Sequence, residues 1–164
     1  MFNNQRIIFV SIIDNGSNMM ESLSTRIWQH ETLVKGLTET KNCLMGRKTF
    51  DITRWKGPNT WVLTRNQDWK SRGVGTIHDL EDLHLHIEGD LYILGGQSLF
   101  HQLADHVDEI HMFVLNNYLG KESWIKIKMN EWRASDYNDQ SVWSYVHLSR
   151  KIIETLPKTE PLFL

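Results

Sequence analysis

Cysteine is all but missing from this sequence. Cys43 stands alone, which excludes an internal disulfide framework and fits a reducing compartment. Metal-binding signatures are missing as well: there is no cysteine cluster and no His-Glu-x-x-His run. The pairs His84/His86 and His101/His106 stand two and five residues apart and match no common helical ligand pair. The eight histidines are therefore expected at the surface, and no metal is expected. No apolar run approaches the length of a membrane span. The start, Met1 to Arg6, is polar and carries no secretory signal, so a cytoplasmic protein is expected. Neither charge sign dominates. A formal net charge of −2 gives no reason to expect nucleic acid or an anionic membrane as partner. Internal repeats, low-complexity blocks, linkers and a Ser-His-Asp order with a nucleophile elbow are all absent.

What is present is an ordinary globular composition, 40% hydrophobic and 23% charged. The 164 residues are enough for one domain, 1–164, with a proper core. Arg6 to Ile13 is nearly continuous in β-branched and aromatic residues, as in a strand buried on both faces. Turn chemistry at Asp14 to Asn18 ends it. A loop then leads to a helix from Ser24 or Thr25 to about Thr38, in which His30 and Glu31 flank the centre of the apolar face. Strands are expected at Asn42–Met45, Thr60–Thr64, Leu91–Leu94 and Glu109–Leu115. Helices are expected from Gly46, from Leu80 within the segment Ile77 to Leu85, and from Ser98 to about His106. Trp124–Ile127, Trp132–Asp136 and Trp143–Ser149 read as antiparallel edge strands. Strand and helix alternate first, and strands alone follow. This order predicts an α/β fold: a mostly parallel central sheet, antiparallel C-terminal edge strands, and helices on both faces.

The chain is organised around Asp90-Leu-Tyr-Ile-Leu-Gly-Gly-Gln-Ser-Leu-Phe-His-Gln-Leu103. A short buried strand stops at Gly95-Gly96 and turns into a helix. Glycines there let the backbone approach a bound group closely. The helix start offers N–H groups and a positive dipole end, which suit a pyrophosphate. Two further junctions, Gly46-Arg47-Lys48-Thr49 and Thr64-Arg65, also follow strands. In an open α/β sheet, ligands bind beyond the carboxyl ends of the strands, so all three converge on one edge. Cations at such places pair with phosphate by charge-assisted hydrogen bonds.

These pieces resemble the dihydrofolate reductase family. The matching stretches are Ile7–Asp14, Leu44-Met45-Gly46-Arg47-Lys48-Thr49-Phe50, Trp61–Arg65, Tyr92–Phe100, Val107–His111 and Ser144–Arg150. Their order and spacing cover nearly the whole chain. The resemblance implies NADPH as hydride donor and dihydrofolate as substrate, in a monomer. It brings Gly46, Arg47, Lys48 and Thr49 to the phosphates, and Leu63, Thr64 and Arg65 to the adenosine end. Gly95, Gly96, Gln97, Ser98 and Leu99 would wrap the pyrophosphate, and Ile13 would also meet the cofactor. The substrate would lie against Ile8, Val10, Val34, Ile52, Leu94 and Phe113. The family's helix carboxylate falls by spacing on His30 and by chemistry on Glu31, because a neutral imidazole offers one acceptor where a carboxylate offers two oxygens. Three departures stand on the folate side. Pro58 takes the place of an arginine that grips the glutamate tail, with Arg54 and Lys56 close by as point charges. Phe113 replaces a threonine, and the Pro-Trp pair before the acid is missing. The alternatives are therefore a reductase of another pterin or of a riboflavin-pathway pyrimidine, or a nucleotide-binding homologue that has lost catalysis.

Overall fold

The computed structural model describes residues 5–13, 38–55, 57–115, 131–139 and 143–151. Eight strands among these residues form one sheet: β1 Ile7–Ile13, β2 Asn42–Gly46, β3 Asn59–Leu63, β4 Gly75–Ile77, β5 Leu91–Ile93, β6 Val107–Leu115, β7 Trp132–Asp139 and β8 Trp143–Arg150. Their order is β4-β3-β2-β5-β1-β6-β8-β7. The first six run parallel, β8 is antiparallel to β6, and β7 is antiparallel to β8. The expected architecture is therefore the observed one.

The central strands read as they do because both of their faces are covered. Ile7, Ile8, Phe9 and Val10 of β1 are all buried, as are Leu91, Tyr92 and Ile93 of β5. The two-residue period of a strand sorts these side chains into two cores. On one face Ile7, Phe9, Leu91 and Ile93 pack with Leu99, Phe100 and Leu103 of helix α3 (Gln97–Leu103) and with Leu83 of the short helix α2 (Leu83–His86). On the other face Ile8, Val10, Met45, Tyr92 and Leu94 pack with Phe50 of α1 (Arg47–Thr53). Cys43 belongs to this second core, and burial pushes its thiol up to about 12, so it is a packing residue and no nucleophile at neutral pH.

Several expected boundaries move. Gly75–Ile77 is a strand, not a lead-in to a helix; it pairs in parallel with β3, Trp61 opposite Gly75. Its apolar signal is one residue, Ile77, too short for periodicity to register. The turn after it is 3-10 over Leu80–Asp82, capped by Asp79 Oδ1 accepting from Glu81 N, before α2 begins. Helix α3 starts at Gln97, one residue early, and its last turn, Ala104–His106, tightens to 3-10. Strand β6 begins at Val107. Leu94 lies past the end of β5. The expected helix before Thr38, with His30, Glu31 and Val34, and the expected strand Trp124–Ile127 lie outside the described residues.

Candidate functional site

A cleft of about 850 Å³ opens along one edge of the sheet. Every loop that lines it leaves the carboxyl end of a strand. Four neighbouring strands, in the order β5-β2-β3-β4, deliver these loops side by side. From β2 come Gly46, Arg47, Lys48 and Thr49; from β3, Leu63, Thr64, Arg65 and Asn66. The chain past β4 supplies His78, Asp79 and Leu80, and the chain past β5 supplies Gly96, Gln97, Ser98, Leu99 and, one turn on, Gln102. The three junctions singled out in the sequence therefore share one cavity.

The glycine junctions are tied to each other. Gly46 N donates to Gly95 O at 2.9 Å, and Leu94 N donates to Leu44 O at 2.9 Å, so the β2 and β5 loops are held in register past the sheet edge. Gly95 sits at φ +116 and forms a cis peptide with Gly96. Only glycine takes that φ without a side-chain clash. The Thr49 side chain lies 3.7 Å from where a Gly95 Cβ would stand, which closes the junction from the α1 side. Helices α1 and α3 start from Gly46 and Gly96, neither of which can offer a capping side chain. First-turn N–H groups of a helix are donors in want of an acceptor, and both starts line the cleft.

The cations stand where an anion would need them. Arg47 and Lys48 are exposed on the first turn of α1, where positive charge opposes the helix dipole and has no folding rationale. Arg47 lies 3.9 Å from Asp51, a long i,i+4 pair between half-exposed partners and worth little. Arg65 is exposed on the β3 loop. Thr64, expected at the adenosine end, lines the cleft and is mostly buried, and its hydroxyl oxygen accepts from Asn66 N at 3.2 Å. Its backbone ties β3 to β4: Thr64 N donates to Ile77 O at 2.9 Å, and His78 Nδ1–H donates to Thr64 O at 2.8 Å. Thr64 thus aims the loop that carries Arg65.

Comparison with known proteins gives the family and the fold. The profile of the family described as dihydrofolate reductase matches residues 16–148. The dihydrofolate reductases of Staphylococcus aureus strains N315 and COL are each 30% identical over 128 residues, covering 72% of this chain and 80% of theirs. The chain belongs to the dihydrofolate reductase family. Its fold is likewise that of a solved dihydrofolate reductase from Enterococcus faecalis complexed with NADP(H) and RAB-propyl. The TM-score is 0.76 at 20% identity, over 90% of this chain and 97% of that one.

Within this dihydrofolate reductase family member, the residues expected on the substrate side divide into two groups. Ile8, Val10, Leu94 and Phe113 are buried together on the α1 face of the sheet. Phe113 packs against the Tyr145 ring at 5.3 Å, so the position that departs from the family pattern is filled by an aromatic pair. Ile52 is 38% exposed and stands apart from that core. Ile13 ends β1, with its Cα opposite Val114. Val34, His30 and Glu31 lie outside the described residues. Near the expected tail site, Pro58 is exposed and Arg54 caps α1 in the left-handed region, its guanidinium 5.9 Å from the Phe50 ring centre. His78, Asp79, Leu80 and Gln102 were missed by the sequence reading. Recognising Gly75–Ile77 as a strand would have put the three residues after it on the same edge.

Proposed function

We propose that this protein reduces 7,8-dihydrofolate to tetrahydrofolate with NADPH, as a monomeric, single-domain, cytoplasmic enzyme. The observation that carries the reading is the convergence of three cations and two glycine junctions at the carboxyl ends of adjacent strands. Membership of the dihydrofolate reductase family supports it, and no helix among the described residues is long and apolar enough to cross a membrane.

The cleft fits NADPH by its donor set. Arg47, Lys48 and Arg65 offer charge to phosphate oxygens, and the backbone of Gly95, Gly96, Gln97 and Ser98 offers close approach without side-chain bulk. Arginines at the adenosine end favour a 2′-phosphate over a free hydroxyl. Leu63 and Leu99 add apolar side chains to the lining, and Thr49 a hydroxyl. Bound there, NADPH supplies the hydride that reduces pterin C6. The protein's own work is to hold donor and acceptor in near-attack contact, which lowers the barrier by prepaid orientation. Ile8, Val10, Leu94 and Phe113, buried together on the α1 face, would form the apolar backing of the pterin side. Glu31 or His30 orients the pterin ring and favours protonation at N5, and Arg54 stands in for the tail arginine as a point charge.

The test follows NADPH absorbance with dihydrofolate, for the native chain and for Glu31→Gln and His30→Gln. Prompt oxidation by the native chain is expected, with the rate collapsing in whichever variant removes the acid. Tight NADPH binding without turnover would sink the folate assignment. Phe113 gives that outcome a direction, because an aromatic where the family has a hydroxyl favours another pterin or a riboflavin-pathway pyrimidine as substrate.

A further inference from the structure

Away from the cleft, on the α1 face of the sheet, three donors come together where β6 meets β8. Glu109 and His111 are two apart on β6 and so share a face; His147 of β8 is the register partner of His111. The His147 Nε2 lies 3.1 Å from Glu109 Oε2, the His111 Nε2 lies 3.9 Å from the same oxygen, and all three ligand atoms fall within 4.8 Å of one another. We propose that Glu109, His111 and His147 form a binding site for a divalent metal ion of the zinc class, bridging β6 and β8. This inference is independent of the reductase reading.

The chemistry of the set argues for that class of ion. Two imidazoles and one carboxylate suit zinc and its neighbours, whereas calcium and magnesium call for oxygen ligands throughout. Tetrahedral bonds of about 2.0–2.1 Å place ligand atoms ~3.3–3.4 Å apart. One pair already meets that spacing, and side-chain rotation draws in the others. The supporting contacts are those a metal site needs. Tyr145 Oη lies 2.6 Å from His111 Nδ1; a proton on Nδ1 leaves Nε2 as the lone-pair nitrogen that faces Glu109. Arg6 donates to Glu109 Oε1 at 2.6 Å, fixing the carboxylate with its other oxygen toward both rings. Arg6 is also the cation that competes with the ion for this carboxylate, and Asp90 offsets it by pairing with Arg6 at 2.6 Å. The two imidazoles stack at 4.3 Å and 4°. The depth is graded: His111 is buried, while Glu109 and His147 keep 21% and 24% of their side-chain surface open as an entry path. His111 thus departs from the surface placement expected of the histidines.

The experiment titrates Co²⁺, a coloured substitute for zinc, into the full chain stripped with a chelator. One equivalent is expected to saturate a ligand-field band, and Zn²⁺ is expected to displace it. His147→Gln and Glu109→Gln should each weaken Co²⁺ binding by roughly tenfold or more, and Tyr145→Phe by ~10–100-fold through the lost partner of Nδ1. His84→Gln/His86→Gln, which alters exposed histidines elsewhere, should leave it unchanged. No saturable band in the native chain, or equal binding by His147→Gln, would overturn the site. Should the variants fail to fold, X-ray absorption on the Zn²⁺-loaded native chain decides: two imidazoles in the zinc shell support the assignment, and a shell without imidazole overturns it.

Discussion

At the scale of single residues, Gly75 and Arg65 show two different reasons for a residue's identity. A Cβ at Gly75 would stand 2.3 Å from Cε3 of Trp61, inside the ring's own volume. Gly75→Ala must push the Trp61 ring off the β3–β4 pair. The expected cost is about 1–3 kcal/mol, the range for overpacking a filled site, and it should appear as a lower urea midpoint with an unchanged slope. Arg65 has no such packing role; it is exposed at the mouth of the cleft. If it meets the 2′-phosphate, Arg65→Ala should raise the KM for NADPH by ~10–100-fold, the worth of one charge-assisted hydrogen bond. The KM for NADH should barely move, since NADH has no phosphate there. Equal losses for both cofactors would remove Arg65 from that role.

At the scale of elements, Arg150 fastens the C-terminal edge of the sheet. From the end of β8 its Nε donates to Val107 O at 2.8 Å and its Nη2 to Ala104 O at 2.9 Å. The guanidinium also lies over the Trp132 ring at 4.6 Å and reaches Glu131 at 3.3 Å. One side chain therefore ties β8 to the turn after α3, to the start of β6 and to β7. Arg150→Ala is expected to cost about 2–4 kcal/mol, from two charged hydrogen bonds to carbonyls and a cation–π contact. Arg150→Lys should recover only part of that, because an ammonium cannot fork to two carbonyls while stacking on indole. Hydrogen exchange at β7 and β8 should quicken before exchange at β1 and β5, as these edge strands unfold locally.

For the whole molecule, the ion pairs at the amino ends of the strands predict how stability depends on acid. The Arg6 guanidinium hydrogen-bonds Asp90 and holds its carboxyl below the usual range, against a smaller opposing effect of burial. A carboxylate whose folded pKa is lowered adds stability above its unfolded value, near ~3.9, and that contribution disappears as pH falls through the folded value. Both side chains are more than a third exposed, so the effect is small and salt-sensitive. Asp90→Asn should leave stability slightly reduced at neutral pH and converge with the native chain as pH falls through the lowered folded value, as read by urea unfolding at several pH values. Divergence on acidification would refute the pairing.

Much of this was legible in the amino-acid order because it is local. Arg6 to Ile13 and the stretch around Leu91 read as buried strands since both faces are apolar, and both strands are found centrally in the sheet. The glycine junctions at Gly46 and Gly95–Gly96 were visible because each stands between a strand and a helix start, and a pair of glycines that is ordinarily a tight connection gains weight from those neighbours. Strand β4 was not legible, since three residues with one buried apolar position carry no period. Thr64 lines the cleft, and its hydroxyl also accepts from the backbone of Asn66, a local contact that the amino-acid order does not reveal. His30, by spacing, and Glu31, by the chemistry of a carboxylate, stay expectations, since both lie outside the described residues.

The sequence by itself determined the sheet-and-helix alternation, the apolar strands at its centre, the family and the three strand-end junctions. Each is written in neighbouring residues, where covalent connection sets the geometry. Tertiary structure alone decided which strand lies beside which. That order put His78 and Asp79 at the same mouth as Arg65, and it brought His147 to His111 across thirty-six positions of chain. Cross-strand register is a long-range choice, made by how two faces of a sheet are covered, and no local pattern encodes it.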